Sequence, residues 1–158
     1  MKSAVSWSVI LNLCVILTAS TAFAQVQVVA RACRKDGNQY NCDKANFEKI
    51  LRVAKTASVR TPRLEPSSGQ MTKLARSFGK AVQPNSADLT FVLARPDPNG
   101  IYYGPSDREL ATILVYYGAA GNDPGTLVWV ESYYGQPGIA WPIVVNHITA
   151  QFREQFKR

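Results

Sequence analysis

Residues 109–158 constrain the fold most, because apolar residues there recur first at every second position and then at every third or fourth. The segments 110–117 (Leu-Ala-Thr-Ile-Leu-Val-Tyr-Tyr) and 127–134 (Leu-Val-Trp-Val-Glu-Ser-Tyr-Tyr) are rich in β-branched and aromatic residues and predict two strands. The Gly/Asn/Pro-rich loop 118–125 between them predicts an antiparallel hairpin. Beyond it, Val145, Ile148, Phe152 and Phe156 form one apolar stripe at helical spacing, with Pro142 at the first position and Arg153, Lys157 and Arg158 towards the end. A hairpin with an apolar face needs a second layer, and this amphipathic helix supplies it.

The remaining elements fit the same scheme. A strand is predicted at the start of 25–32, and a short helix over 44–52, with Asp43 as N-cap and Phe47, Ile50 and Leu51 on one side. A strand follows over 55–61, then a helix from Ser67 or Ser68 to about residue 82, carrying Met71, Leu74, Ala75 and Phe78. Gly79 weakens its last turn. Segment 88–95 alternates Leu89, Phe91 and Leu93 with Thr90, Val92 and Ala94, so both faces are apolar and the strand is central. The expected fold is a single α+β domain over 25–158. It is a two-layer antiparallel sheet with helices on one face, in the order β-α-β-β-β-α after an N-terminal disulfide segment, 25–52.

Lys2, an apolar run over 4–19 and Ala22-Phe23-Ala24 have the form of a signal peptide, with cleavage expected after Ala24. No later stretch is long enough to cross a membrane, so a periplasmic or secreted protein is expected. Leu13 precedes Cys14 where a lipoprotein signal would place a small residue, so Cys14 is not read as a lipid attachment site. Cys33 and Cys42 remain, with eight residues between them that include Asp36-Gly37-Asn38. In an oxidising compartment they predict a disulfide closing a turn.

Charge is uneven. Over 25–82, twelve Lys and Arg face four Asp and Glu; over 83–158, five face seven. The basic half suits an anionic envelope component, and export argues against nucleic acid as partner.

The catalytic inventory is thin. The chain lacks H-E-x-x-H, G-x-S-x-G, Walker and G-x-G-x-x-G motifs, and its one histidine, His147, sits in the last helix. No metal or cofactor is expected, since Asp97, Asp107, Glu109 and Asp123 lack calcium-loop spacing. Tyr-Tyr-Gly occurs at 102–104, 116–118 and 133–135. Adjacent tyrosines in a strand point to opposite faces, and the following glycine ends or bends the strand. An antiparallel hairpin brings Tyr133 and Tyr134 near Tyr102 and Tyr103, with Trp129 and Trp141 close by. These six are the candidate binding residues, an aromatic platform for a sugar ring or peptide; the alternative is cross-strand packing at the open ends of a sheet.

The strand near 53–60, the helix over 70–82, Ala87-Asp88-Leu89 opening the next strand, the hairpin 109–134 and the helix 141–156 together resemble a bacterial envelope family. It is a domain of unknown function often carried on lipoproteins. The resemblance covers about two-thirds of the chain. It implies a periplasmic setting and supplies no catalytic residues; the Cys33/Cys42 segment is additional to it. The leading expectation is a non-catalytic binding or scaffolding module of the cell envelope, with an anionic component or another envelope protein as partner. The alternative is a small secreted hydrolase using two carboxylates among Asp97, Asp107, Glu109 and Glu131.

Overall fold

The computed structural model describes residues 29–37, 39–61, 67–94, 108–120, 123–136 and 138–157. The signal segment 1–24 lies outside them, as do Asp97, Tyr102, Tyr103 and Asp107.

Among the described residues ten elements follow one another: β1 (Arg34–Asp36), β2 (Gln39–Asn41), α1 (Lys44–Val53), β3 (Thr56–Arg60), α2 (Ser67–Ser77), β4 (Ala81–Val82), β5 (Leu89–Ala94), β6 (Arg108–Tyr117), β7 (Thr126–Gly135) and α3 (Trp141–Phe156). The main sheet runs β4-β3-β5-β6-β7, and β1 and β2 form a separate hairpin. The α+β class and the strand and helix order from β3 onwards match the sequence expectation, with β4 as an added short strand.

The sheet is mixed rather than wholly antiparallel. β5, β6 and β7 are antiparallel neighbours, but β3 runs parallel to both β4 and β5. The cause is the connection: α2 carries the chain from the end of β3 back to the end where β3 began, so β4 and β5 start beside β3 and run with it.

α2 also stops earlier than its apolar stripe suggests. Gly79 adopts φ +71°, its N–H bonds to the Arg76 carbonyl, and the Lys80 N–H bonds to the Ala75 carbonyl. This pair of bonds is a Schellman stop, and it frees Ala81 and Val82 to pair with Thr56 and Ala57. The strand expected at the start of 25–32 lies outside the described residues, and residues 29–32 belong to no strand. There the Arg31 N–H bonds to Asn46 Oδ1, and Asn46 Nδ2 donates to the Val29 carbonyl, which ties the segment to the start of α1.

One core holds the layers together. Rows of residues cross the sheet in register: Val59, Phe91, Val115 and Trp129 in one, Leu93, Ile113 and Glu131 in the next. Phe47 of α1 stacks on Trp129 with centroids 5.3 Å apart, while Phe152 and Phe156 of α3 meet Phe47 edge-on at 6.0 and 5.0 Å. Phe152 also contacts Phe78 and Phe91, and is fully buried. Truncating a ring this enclosed costs about 3–5 kcal/mol.

The ends of α1 are both satisfied. Asp43 Oδ1 accepts the Asn46 N–H at 2.9 Å, as an N-cap should. That bond, with the Arg31 guanidinium beside it, outweighs partial desolvation and holds the carboxyl below its usual range. At the other end Lys80, almost wholly buried, donates through Nζ to the carbonyls of Leu51 and Ala54. Burial lowers its pKa.

Candidate binding cleft beside the outer strand

β7 is the last strand of the sheet, so β6 covers only one of its two edges. At one end of the other edge the Cys33 N–H donates to the Leu127 carbonyl at 2.8 Å. From Cys33 the chain turns out into the β1–β2 hairpin, where Arg34 faces Asn41, Lys35 faces Tyr40 and Asp36 faces Gln39. The Cys33–Cys42 disulfide closes its base, with Cα atoms 4.3 Å apart, as the sequence predicts. Every residue of both short strands is exposed. Two three-residue strands do not hold together in water on pairing alone, so the disulfide fixes where this arm stands.

Between the hairpin and β7 lies a cleft of about 560 Å³. The hairpin contributes Gln39, Tyr40 and Asn41, and the sheet contributes Glu109, Thr112, Ser132 and Tyr134. Glu131 and Gln155 close the side towards α3. The wall residues named for this cleft include no lysine or arginine.

Asp36, Glu109 and Glu131 bring three carboxylates to the wall, and the latter two are held by neutral donors. The hydroxyl of Thr112 and that of Ser132, the latter at 2.8 Å, donate to Glu109 Oε1. Glu131 is only 8% exposed and lies in the core row beside Ile113. It accepts the Trp129 indole N–H at 3.2 Å and the Gln151 amide. Gln155, with its amide nitrogen turned to the carboxylate, donates at 2.7 and 3.2 Å. A buried carboxylate without a cation is tolerable when donors surround it, and three neutral side chains do so here.

The candidate aromatic residues separate. Tyr134 is 53% exposed and lines the cleft. Tyr133 turns to the opposite face and stacks on His147 of α3, with centroids 5.4 Å apart and planes 1° from parallel. Trp129 lies in the aromatic core and reaches the cleft wall, where its indole N–H meets Glu131. Trp141 begins α3 and packs against the core margin. The second Tyr-Tyr-Gly sits at the far end of the hairpin, where Tyr116 faces Leu127 and Tyr117 faces Thr126.

Three contributors were not singled out from sequence. Gln151 and Gln155 are one helical turn apart, a spacing that puts two amides on one side of α3. Tyr40, 42% exposed, is the third, and Lys35 lies 5.8 Å from its ring centroid.

Among the described residues no helix is long and apolar enough to cross a membrane. The chain matches no protein-family model, no curated protein and no solved structure.

Proposed function

We propose that the protein is a non-catalytic binding module of the cell envelope, and that the cleft beside β7 holds a neutral, hydroxyl-rich ligand such as a glycan segment. One observation carries this reading: the cleft combines fixed carboxylate and hydroxyl oxygens, side-chain amides and the exposed rings of Tyr40 and Tyr134, and among the described residues no lysine or arginine lines its wall, though Lys35 stands beside the Tyr40 ring. Sugar hydroxyls pair with the first two groups, and sugar faces pack on aromatic rings. The signal-like sequence of residues 1–24 and the hairpin disulfide support the envelope setting. The cleft carries acidic groups and repels anions, so an anionic partner belongs on another face.

The test is a titration of the oxidised protein with neutral N-acetylated oligosaccharides, followed by tryptophan fluorescence. Trp129 reports on the cleft through its bond to Glu131. Saturable binding that Tyr134→Ala weakens about fivefold supports the reading, on the usual value of an aromatic contact of about 1 kcal/mol. Absence of saturable binding, or binding indifferent to Tyr134, sinks it.

The hydrolase reading keeps one supporting observation, that Glu109 and Glu131 line the same cleft. Against it, neutral donors already occupy both carboxylates. Turnover of an oligosaccharide that Glu131→Gln abolishes without loss of binding would select it.

A further inference from the structure

A second cavity, of about 620 Å³, opens where the C-terminal ends of α1 and α3 meet the turn after α2. Arg52, Lys80, Arg153 and Lys157 line it, against one acid, Glu48. Phe78 and Phe156 form part of its wall. Among the described residues the only ion pair is Arg31–Asp43, so no described carboxylate lies within ion-pair distance of these four cations, although Asp88 acts on Lys80 from further off.

Some of this charge has an internal purpose. Lys80 caps the carbonyls of Leu51 and Ala54, and Arg52 Nε donates to the Glu48 carbonyl at 3.3 Å. Cations at helix C-termini are favourable for that reason alone. Arg153 stands in the last turn of α3, but no hydrogen bond from it to a helix carbonyl accounts for its Nε. Its Nε is sealed from solvent and has no hydrogen-bond partner, although a buried N–H normally has one. Lys157, the C-cap residue of α3, joins the same cavity.

We propose that this groove binds an oxyanion of the phosphate class. Arg153, Arg52 and Lys157 donate to it, and the buried Lys80 ammonium supplies fixed positive charge at its edge. Guanidinium groups match tetrahedral oxyanions geometrically, and a partly buried site screens the attraction less than open surface does. The proposal extends the envelope-binding reading by naming the chemistry of an anionic partner. It stands on a cavity separate from the cleft, so the two fail separately.

The experiment uses the full mature, oxidised chain in two arms. Calorimetric titration with inorganic pyrophosphate tests the anion alone. Co-sedimentation with phosphatidylcholine vesicles, with and without phosphatidylglycerol, tests a lipid headgroup. The variants are Arg153→Gln, the exposed pair Arg52→Gln/Lys157→Gln, and the control pair Arg34→Gln/Lys35→Gln, which removes two charges from the hairpin. Arg153→Gln and the pair Arg52→Gln/Lys157→Gln are each expected to weaken binding at least about fivefold, and the hairpin pair less than twofold. Added salt weakens all of it.

Sensitivity of pyrophosphate binding to the groove variants supports a soluble phosphate source. The same sensitivity in vesicle binding that requires phosphatidylglycerol supports a lipid source. Binding in neither arm overturns the proposal, and so does equal loss in groove and hairpin variants. If Arg153→Gln unfolds, the exposed pair decides. Tyr134→Ala should leave both arms unchanged, which separates a failed groove from a failed cleft.

Discussion

Thr56 and Asp88 hold each other through two hydrogen bonds that run in opposite directions. The Thr56 N–H donates to the Asp88 carboxylate at 3.0 Å, and the Asp88 N–H donates to the Thr56 hydroxyl at 2.9 Å. The Lys55 N–H adds a third bond at 2.7 Å. This clamp fixes the starts of β3 and β5, the parallel pair of the sheet.

Asp88→Asn should therefore destabilise the protein by about 1 kcal/mol at neutral pH, a modest figure because the site meets solvent. Desolvation pushes the Asp88 pKa up, but the Lys55 and Thr56 bonds outweigh it and leave it below the ordinary 3.8. A lowered carboxyl pKa gives stability that is complete above the unfolded value and is lost as pH falls through the folded one. Denaturant midpoints measured from pH 6 down to 2 should show a shallower acid loss in Asp88→Asn than in the parent. Parallel curves would refute the assignment.

Reduction of Cys33–Cys42 should cost about 2–3 kcal/mol, the range for a short closed loop. Amide exchange should then quicken in β1 and β2 while β5 and β6 stay protected, because the hairpin makes no strand pairing with the main sheet. Equal acceleration throughout would mean that the disulfide supports the core itself.

Two glycines should respond differently to alanine. Gly125 has φ +80°, and a Cβ there would collide with the Tyr117 carbonyl and approach the Ala119 nitrogen to 2.8 Å. Gly79 has φ +71° with open space around it. Gly79→Ala should cost about 1 kcal/mol, the backbone term alone. Gly125→Ala should cost well beyond that, since the turn joining β6 to β7 must shift. Thermal melts of both variants test the order.

Glu131→Ala should leave the Trp129 indole and the Gln151 and Gln155 amides without their acceptor, at about 1–3 kcal/mol. Trp129 emission should shift as well. Unchanged stability and emission would show that Glu131 does not organise these donors.

The sheet's apolar rows and α3 were legible because their periods are long and unbroken. Phe91, Val115 and Trp129 fall in one row as alternation requires, and Val145, Ile148, Phe152 and Phe156 all reach the core. Strand direction was not legible. The pattern Ala57, Val59 and Leu89, Phe91 is the same whether β3 and β5 run together or opposed, and only the path of α2 decides it. The end of α2 was half visible: Gly79 marked a weak turn, but its left-handed backbone, which hands Ala81 and Val82 to the sheet, depends on where Lys55 and Ala57 stand. In the cleft, Tyr134 could be placed by strand alternation. Glu131 could not, because a charged residue in a strand reads as outward-facing until Gln151 and Gln155 are seen opposite it.

The bond from Cys33 to Leu127 gives the outer strand its only main-chain partner on that side among the described residues. Beyond it, towards Gly135, the Gln151 amide reaches the Ser132 carbonyl at 3.4 Å, and no further strand pairs with this edge among the described residues. The disulfide holds a solvated arm beside this margin, and reduction removes the covalent constraint on that arm alone.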